Sequence, residues 1–414
     1  MNSDTLMLWL IIVIFAAGCG GGGEVIDLIP DPEEPFIVSY GLDAADMDGD
    51  GLTDIVIAGR LVSPDDSTTG HIDILLQDIT APGSFFERQR YPTNALPHQA
   101  KLADLNGDGL PDVIATNKYS DNSFDVLLNE PLDAGKLRDA TRYSTSSEPL
   151  QADTGDIDRD GFTDIVVAGN HNVTWHRQQA NGSFNNSEII GTGVDTLALE
   201  DLDGNGLLDV VTHDGTIDGN LLVYLQSTAV PGQFSLQQTE RLGTFLGWLD
   251  LGDLNRDGLS DVAVASGDVK DIADFFPVWY PVWQTSSNPP VFDAQPRYKG
   301  AGFDGYRIVI ADMNGDGRAD VVLGNFSGAG KRSNVQIFLQ TDVAGQFRMD
   351  STYALPVNSE PHIRNDMYGL SIADLNGDLL PDIAVSNSRV YVLFQDQGMP
   401  GRFDQPVLLQ GADP

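Results

Sequence analysis

Cysteine is nearly absent: the chain has 1 in 414 residues, which excludes an internal disulfide framework, a CxxC redox pair and a thiolate metal cluster. Basic side chains are scarce too. Against 61 Asp+Glu stand 23 Lys+Arg, a formal net charge of −38, whereas a nucleic-acid partner requires the opposite footprint. The six histidines, His71, His98, His171, His176, His213 and His362, form no HExxH or other zinc spacing. There is no G-x-S-x-G elbow and so no serine nucleophile of that type. The apolar run at 6–15, Leu-Met-Leu-Trp-Leu-Ile-Ile-Val-Ile-Phe, is too short to cross a bilayer comfortably.

What the chain has in quantity is one nine-residue pattern, seen in Asp104-Leu105-Asn106-Gly107-Asp108-Gly109-Leu110-Pro111-Asp112. Copies begin at Asp46, Asp104, Asp156, Asp201, Asp253, Asp312 and Asp374, roughly 45 to 62 residues apart. In a tight loop, side chains at positions 1, 3 and 5 converge on one point, and the position 7 carbonyl and position 9 carboxylate close an all-oxygen shell suited to Ca²⁺. The first loop thus offers Asp46, Asp48, Asp50, the Leu52 carbonyl and Asp54; the second, Asp104, Asn106, Asp108, Leu110 and Asp112. The third offers Asp156, Asp158, Asp160, Phe162 and Asp164; the fourth, Asp201, Asp203, Asn205, Leu207 and Asp209. The fifth offers Asp253, Asn255, Asp257, Leu259 and Asp261; the sixth, Asp312, Asn314, Asp316, Arg318 and Asp320; the seventh, Asp374, Asn376, Asp378, Leu380 and Asp382. A single copy reads equally well as an Asp/Gly-rich turn that binds nothing; seven in phase favour the metal.

An EF-hand opens the same way, but its bidentate Glu falls at position 12 between two helices. Here position 9 closes the loop and a β-branched run follows, as in Asp54-Ile55-Val56-Ile57-Ala58. Each unit shows four strand signals. One enters the loop, one leaves it, and a third is an aliphatic run ending in a polar residue, such as Ile72 to Gln77. A Pro-Gly turn such as Ala81-Pro82-Gly83-Ser84-Phe85 then starts a fourth at the Phe. Four antiparallel strands make one propeller blade.

On these loops the chain resembles the FG-GAP/VCBS repeat family, the calcium-bearing propeller repeats also found in integrin α-subunit heads. The resemblance implies an all-β, seven-bladed β-propeller over 36–414 with a DxDxDGxxD-type calcium loop in each blade and up to seven Ca²⁺. The last unit carries its own fourth strand, so the blades are expected in chain order with no N-terminal strand completing blade seven. Three departures bear on the metal. Arg159 and Arg256 replace Gly at position 4, Asn205 lowers the ligand charge of the fourth site, and Leu379 stands at a position 6 that asks for positive φ.

After the apolar run come Ala16-Ala17-Gly18-Cys19, which resemble a bacterial lipobox; the alternative is an uncleaved anchor. The expectation is a signal peptide over 1–18, lipidation at Cys19, and a flexible Gly-rich and acidic tether over 19–35. That places the protein in the bacterial envelope as an outer-membrane lipoprotein, monomeric and membrane-bound by lipid only.

Nearly all carboxylate pairs in this chain are calcium ligands, so reading two of them as a glycosidase acid and base removes them from a shell they fill. The preferred reading is therefore not an enzyme. It is a calcium-stiffened, surface-tethered binding or adhesion module for an extracellular protein or acidic polysaccharide. Alternatives are a polysaccharide-degrading enzyme on a propeller scaffold and a scaffold subunit of an envelope complex. The expected ligand face lies opposite the loops, where Tyr40, His98, Trp248, Tyr306, Arg307 and Tyr368 begin the first strands. Arg60, Lys118, Tyr119, Lys331, Arg332 and Arg389 come from loops on the same side. The competing reading is that these rings fill the channel mouth.

Overall fold

Continuous apolar runs after each loop build strands buried on both faces. A computed structural model describes residues 36–63, 68–86, 88–93, 95–118, 122–185, 187–216, 218–243, 245–267, 277–300, 305–325, 332–356 and 367–409. The expected signal peptide over 1–18, Cys19 and the expected tether over 19–35, together with Tyr119, Lys331 and His362, lie outside them. Among the described residues there is no helix, and seven separate antiparallel sheets appear, each in chain order. Blades 1 to 7 occupy 36–92, 99–144, 149–192, 194–241, 245–299, 305–354 and 369–408. Among the described residues no helix is long and apolar enough to cross a membrane.

Second strands are the most enclosed elements: Asp112–Asn117, Asp164–Gly169 and Asp320–Asn325 are buried at every residue. Each is sandwiched between neighbouring blades, which explains the continuous apolar runs. The apolar core is accordingly divided into seven clusters, one at each blade junction. The junction that closes the ring packs Leu42, Ile55, Ile57 and Leu75 of blade 1 against Leu375, Ala384, Val390 and Val392 of blade 7.

Closure follows the expected order. Blade 7 has its own fourth strand, Val407–Leu408, and among the described residues no strand crosses the seam. What crosses is one bridge, with the Ser39 amide donating to the Ser388 carbonyl at 3.0 Å, and the Ser386 hydroxyl donating to the Tyr40 carbonyl. Fourth strands are less regular than the turn chemistry suggests. In blades 4 and 6 they start at the Phe, at Phe234 and Phe347. In blades 1 and 7 that Phe makes only an isolated bridge, Gln77 with Phe85 and Gln395 with Phe403, and the strand resumes later.

First strands pack against one another around the axis. Each runs into its loop and each second strand leaves it, so all seven loops and the turns between third and fourth strands share one rim. The connections between second and third strands, and those between blades, share the other.

Candidate functional site

Each loop is organised by its own backbone before any metal is considered. The position 6 amide donates to the position 1 carboxylate in all seven copies, for example Gly51 to Asp46 at 2.9 Å and Gly317 to Asp312 at 2.7 Å. That bond requires positive φ, +88° at Gly51, which only glycine adopts without cost. The position 7 amide donates to position 5, as from Leu110 to Asp108 at 3.0 Å. The position 9 carboxylate is gripped at both oxygens. One accepts the position 2 amide, and the other accepts the amide of the Gln or Asn that ends the third strand; for Asp112 these are Leu105 at 3.0 Å and Asn129 at 2.7 Å. The same pair recurs in every blade.

These residues fit a divalent cation. Ligand oxygens of Asp46, Asp48 and Asp50 lie within 4.8 Å of one another, as do those of Asp156, Asp158 and Asp164, and of Asp201, Asp203 and Asp209. Asp158 Oδ1 is buried with no hydrogen-bond partner, a carboxylate oxygen that a bound cation satisfies. Burial pushes the position 9 carboxyls up, to about 7 at Asp54, Asp209, Asp261, Asp320 and Asp382 and to about 6 at Asp112 and Asp164, despite their two amide bonds. Neighbouring loop carboxylates add to that rise. When bound, Ca²⁺ supplies the positive charge these shells lack; the position 1, 3, 5 and 9 side chains with the position 7 carbonyl are the groups that would hold it.

On the opposite rim the structure brings together the residues singled out from sequence. The rings of Tyr40 and Tyr368 meet edge to face at 4.9 Å, and His98 lies 5.7 Å from Tyr40 and 6.4 Å from Tyr368. Arg60 sits over the Tyr40 ring at 5.4 Å. Between blades 5 and 6, the Arg307 guanidinium stacks 3.2 Å above the Trp248 ring centroid and 5.5 Å from that of Tyr306. The charges of Lys118 and Arg307 both reach His98, which burial already holds well below the usual imidazole range. Tyr40, His98, Trp248 and Arg307 are buried, while Tyr306 and Tyr368 are half-buried.

The model of the FG-GAP-like repeat matches residues 46–115, 104–167, 156–212 and 312–385, more than half of the chain. The chain belongs to the FG-GAP-like repeat family. No curated protein matches it. Among solved structures, this FG-GAP-like propeller is similar to an Agrocybe aegerita lectin that recognises non-reducing terminal N-acetylglucosamine, at 17% identity and TM-score 0.51, covering 92% of each chain. It is also similar to a putative 6-phosphogluconolactonase from Bacteroides fragilis, at 12% identity and TM-score 0.53, covering 92% of this chain and 97% of the other. At these identities the likeness speaks for the fold alone.

The FG-GAP-like loops of this chain depart from one another in ways the structure makes concrete. Arg159 and Arg256 hold positive φ, at +59° and +62°, and their guanidinium groups donate to the Asn205 and Asp342 carbonyls of following blades at 3.1 and 2.9 Å. Leu379 holds φ +66° and is 90% exposed, so it keeps the loop's amide bond under backbone strain. In the fourth loop Asn205 Oδ1 accepts the Leu207 amide at 2.7 Å, leaving its Nδ2 buried and unpartnered where other loops place a carboxylate oxygen. In the third, Arg177 pairs with Asp158 at 2.6 Å and Asp160 at 2.9 Å, an internal cation on the candidate ligands that the loop sequence does not announce.

Two further sets escaped the sequence reading. Position 2 of every loop, Met47, Leu105, Ile157, Leu202, Leu254, Met313 and Leu375, is buried against the next blade. The polar residue ending the third strand reaches back one blade: Asn129, Gln178, Gln284 and Gln340 donate to the position 2 carbonyls Met47, Leu105, Leu202 and Leu254 at 2.6–2.8 Å. Both have a signal, an apolar position 2 and a repeated Gln or Asn, though neither looks like a ligand.

Proposed function

We propose that this FG-GAP-like propeller is a calcium-stiffened binding module, lipid-tethered at Cys19 to the bacterial envelope, that engages an extracellular ligand through the rim opposite its loops. The observation that carries the reading is the convergence of Tyr40, His98, Tyr368, Trp248, Tyr306 and Arg307 from five blades onto one axis. Aromatic faces and guanidinium groups are the chemistry that recognises sugar rings and carboxylates, and here they gather on a chain poor in cations. The loop carboxylates, by contrast, are each held by backbone donors, which suits a structural cation better than acid and base work.

The test is an array of glycans and envelope proteins probed with the full chain in detergent and millimolar Ca²⁺, with product detection on every saccharide. Binding without turnover that Tyr368→Ala weakens is the expected result. Turnover assigns the protein to polysaccharide degradation instead, and binding that survives rim changes but is lost when loop-side residues are altered refutes the choice of face.

A further inference from the structure

Arg307 is a buried charge on the axial rim. It is 5% exposed, and its Nε and Nη2 have no hydrogen-bond partner. A buried cation without an anion is costly, and stacking on Trp248 offsets only part of that cost. The two unpartnered nitrogens form one edge of the guanidinium. Elsewhere in this chain that same edge grips a carboxylate: Arg90 Nε and Nη2 donate to Asp73 at 2.8 and 3.1 Å, and Arg138 Nε and Nη2 donate to Glu130 at 2.8 and 3.2 Å. Arg307 holds the identical fork, buried on the first strand of blade 6, with Lys118 sharing its influence on His98 and the half-buried ring of Tyr306 5.5 Å away.

Resting on the binding reading above, we infer that the axial rim takes one carboxylate-bearing sugar residue of an otherwise neutral saccharide, its carboxylate on the Arg307 edge and its ring against the rim aromatics. A planar fork pairs bidentately with a carboxylate, and the Trp248 and Tyr306 rings beside it favour a pyranose face over a flexible acidic side chain. The net charge of −38 repels a long polyanion, whereas a single carboxylate avoids most of that repulsion because charges beyond about 8 Å are screened at physiological salt. Burial also presses the Arg307 guanidinium down to about 9, the direction an unpaired buried cation takes.

The experiment is calorimetric titration of the full chain, in detergent and Ca²⁺, with a neutral oligosaccharide, the same oligosaccharide bearing one terminal uronate, a polyuronate and an acidic peptide. The single-uronate ligand is expected to bind at least about tenfold more tightly than its neutral parent. Arg307→Met abolishes that difference, and Arg307→Lys, which keeps charge without the fork, retains only part of it. Without ligand, Arg307→Met melts no lower than wild type, because the charge it removes has no anionic partner among the described residues and the Met thioether still packs on Trp248. Equal binding of both oligosaccharides, lost in Tyr368→Ala, overturns the carboxylate assignment and leaves the face intact. Tightest binding by the polyuronate or the peptide overturns it, as does a lower melting temperature for ligand-free Arg307→Met, which makes the residue structural. Binding of none of the four removes the inference and counts against the rim itself.

Discussion

Removing calcium should invert the protein's response to acid. The seven position 9 carboxyls titrate at about 6 to 7 in the folded chain and near 3.9 when unfolded. Their folded values are raised, so the folded state binds more protons between pH 4 and pH 7, and stability falls as pH rises through that window. At 1.36 kcal/mol per pKa unit, each group removes about 3 to 4 kcal/mol by pH 7.5. Even a quarter of that, summed over seven loops, approaches the usual margin of about 5–15 kcal/mol. The buried histidines act oppositely: His176 and His213 are held at about 4, and each opposes folding by only about 1.4 kcal/mol at pH 5.5. Bound Ca²⁺ keeps the carboxylates ionised, and protons then compete with it. Denaturant midpoints measured in chelator and in millimolar Ca²⁺, at pH 5.5 and 7.5, test this. In chelator the protein should be more stable at pH 5.5; in Ca²⁺ it should be more stable at pH 7.5. A chelated protein no more stable at pH 5.5 than at 7.5 refutes the reasoning.

Other outcomes follow from single loops. Leu379→Gly relieves positive-φ strain and should raise stability by roughly 0.5 to 1 kcal/mol, read from denaturant midpoints in either condition. Arg177→Ala removes the internal cation of the third loop, so the chelated midpoint should fall while the Ca²⁺-induced rise grows; a smaller rise means the arginine does not compete with metal. Asn205→Asp replaces the misdirected amide with a carboxylate oxygen and should raise Ca²⁺ affinity by about tenfold at one site in calorimetric titration. An unchanged isotherm contradicts the role given to that amide.

The loops, the blade number and the order of closure were legible because each loop's carboxylates accept backbone amides at fixed positions within nine residues, so the same residue types recur in register. The Arg307, Trp248 and Tyr306 cluster was legible in membership, since it follows from equivalent positions in the repeat. Its burial was not, because it depends on how seven first strands crowd one axis. Blade 5 hid the most. Its third strand, Pro277–Ser287, pairs at its outer edge with two separate segments, Pro290–Ala294 and Tyr298–Lys299, where other units show a Gly turn. The grip of Asn129 on Met47 or Gln340 on Leu254 spans more than eighty residues of sequence, beyond the reach of any local pattern.

Because no described strand crosses from blade 7 to blade 1, each of the seven sheets is built from one stretch of chain, and the seam lies between two whole blades. In the language of genes, a coding segment cut between any two blades still encodes whole blades. Duplication, loss or exchange of a unit therefore changes the ring by an integer, never by a fraction. A circularly permuted gene opened before Gln99 would write the same ring with its seam moved one place round. A propeller closed by a shared strand does not have that freedom, since its last blade must be assembled from both ends of the message.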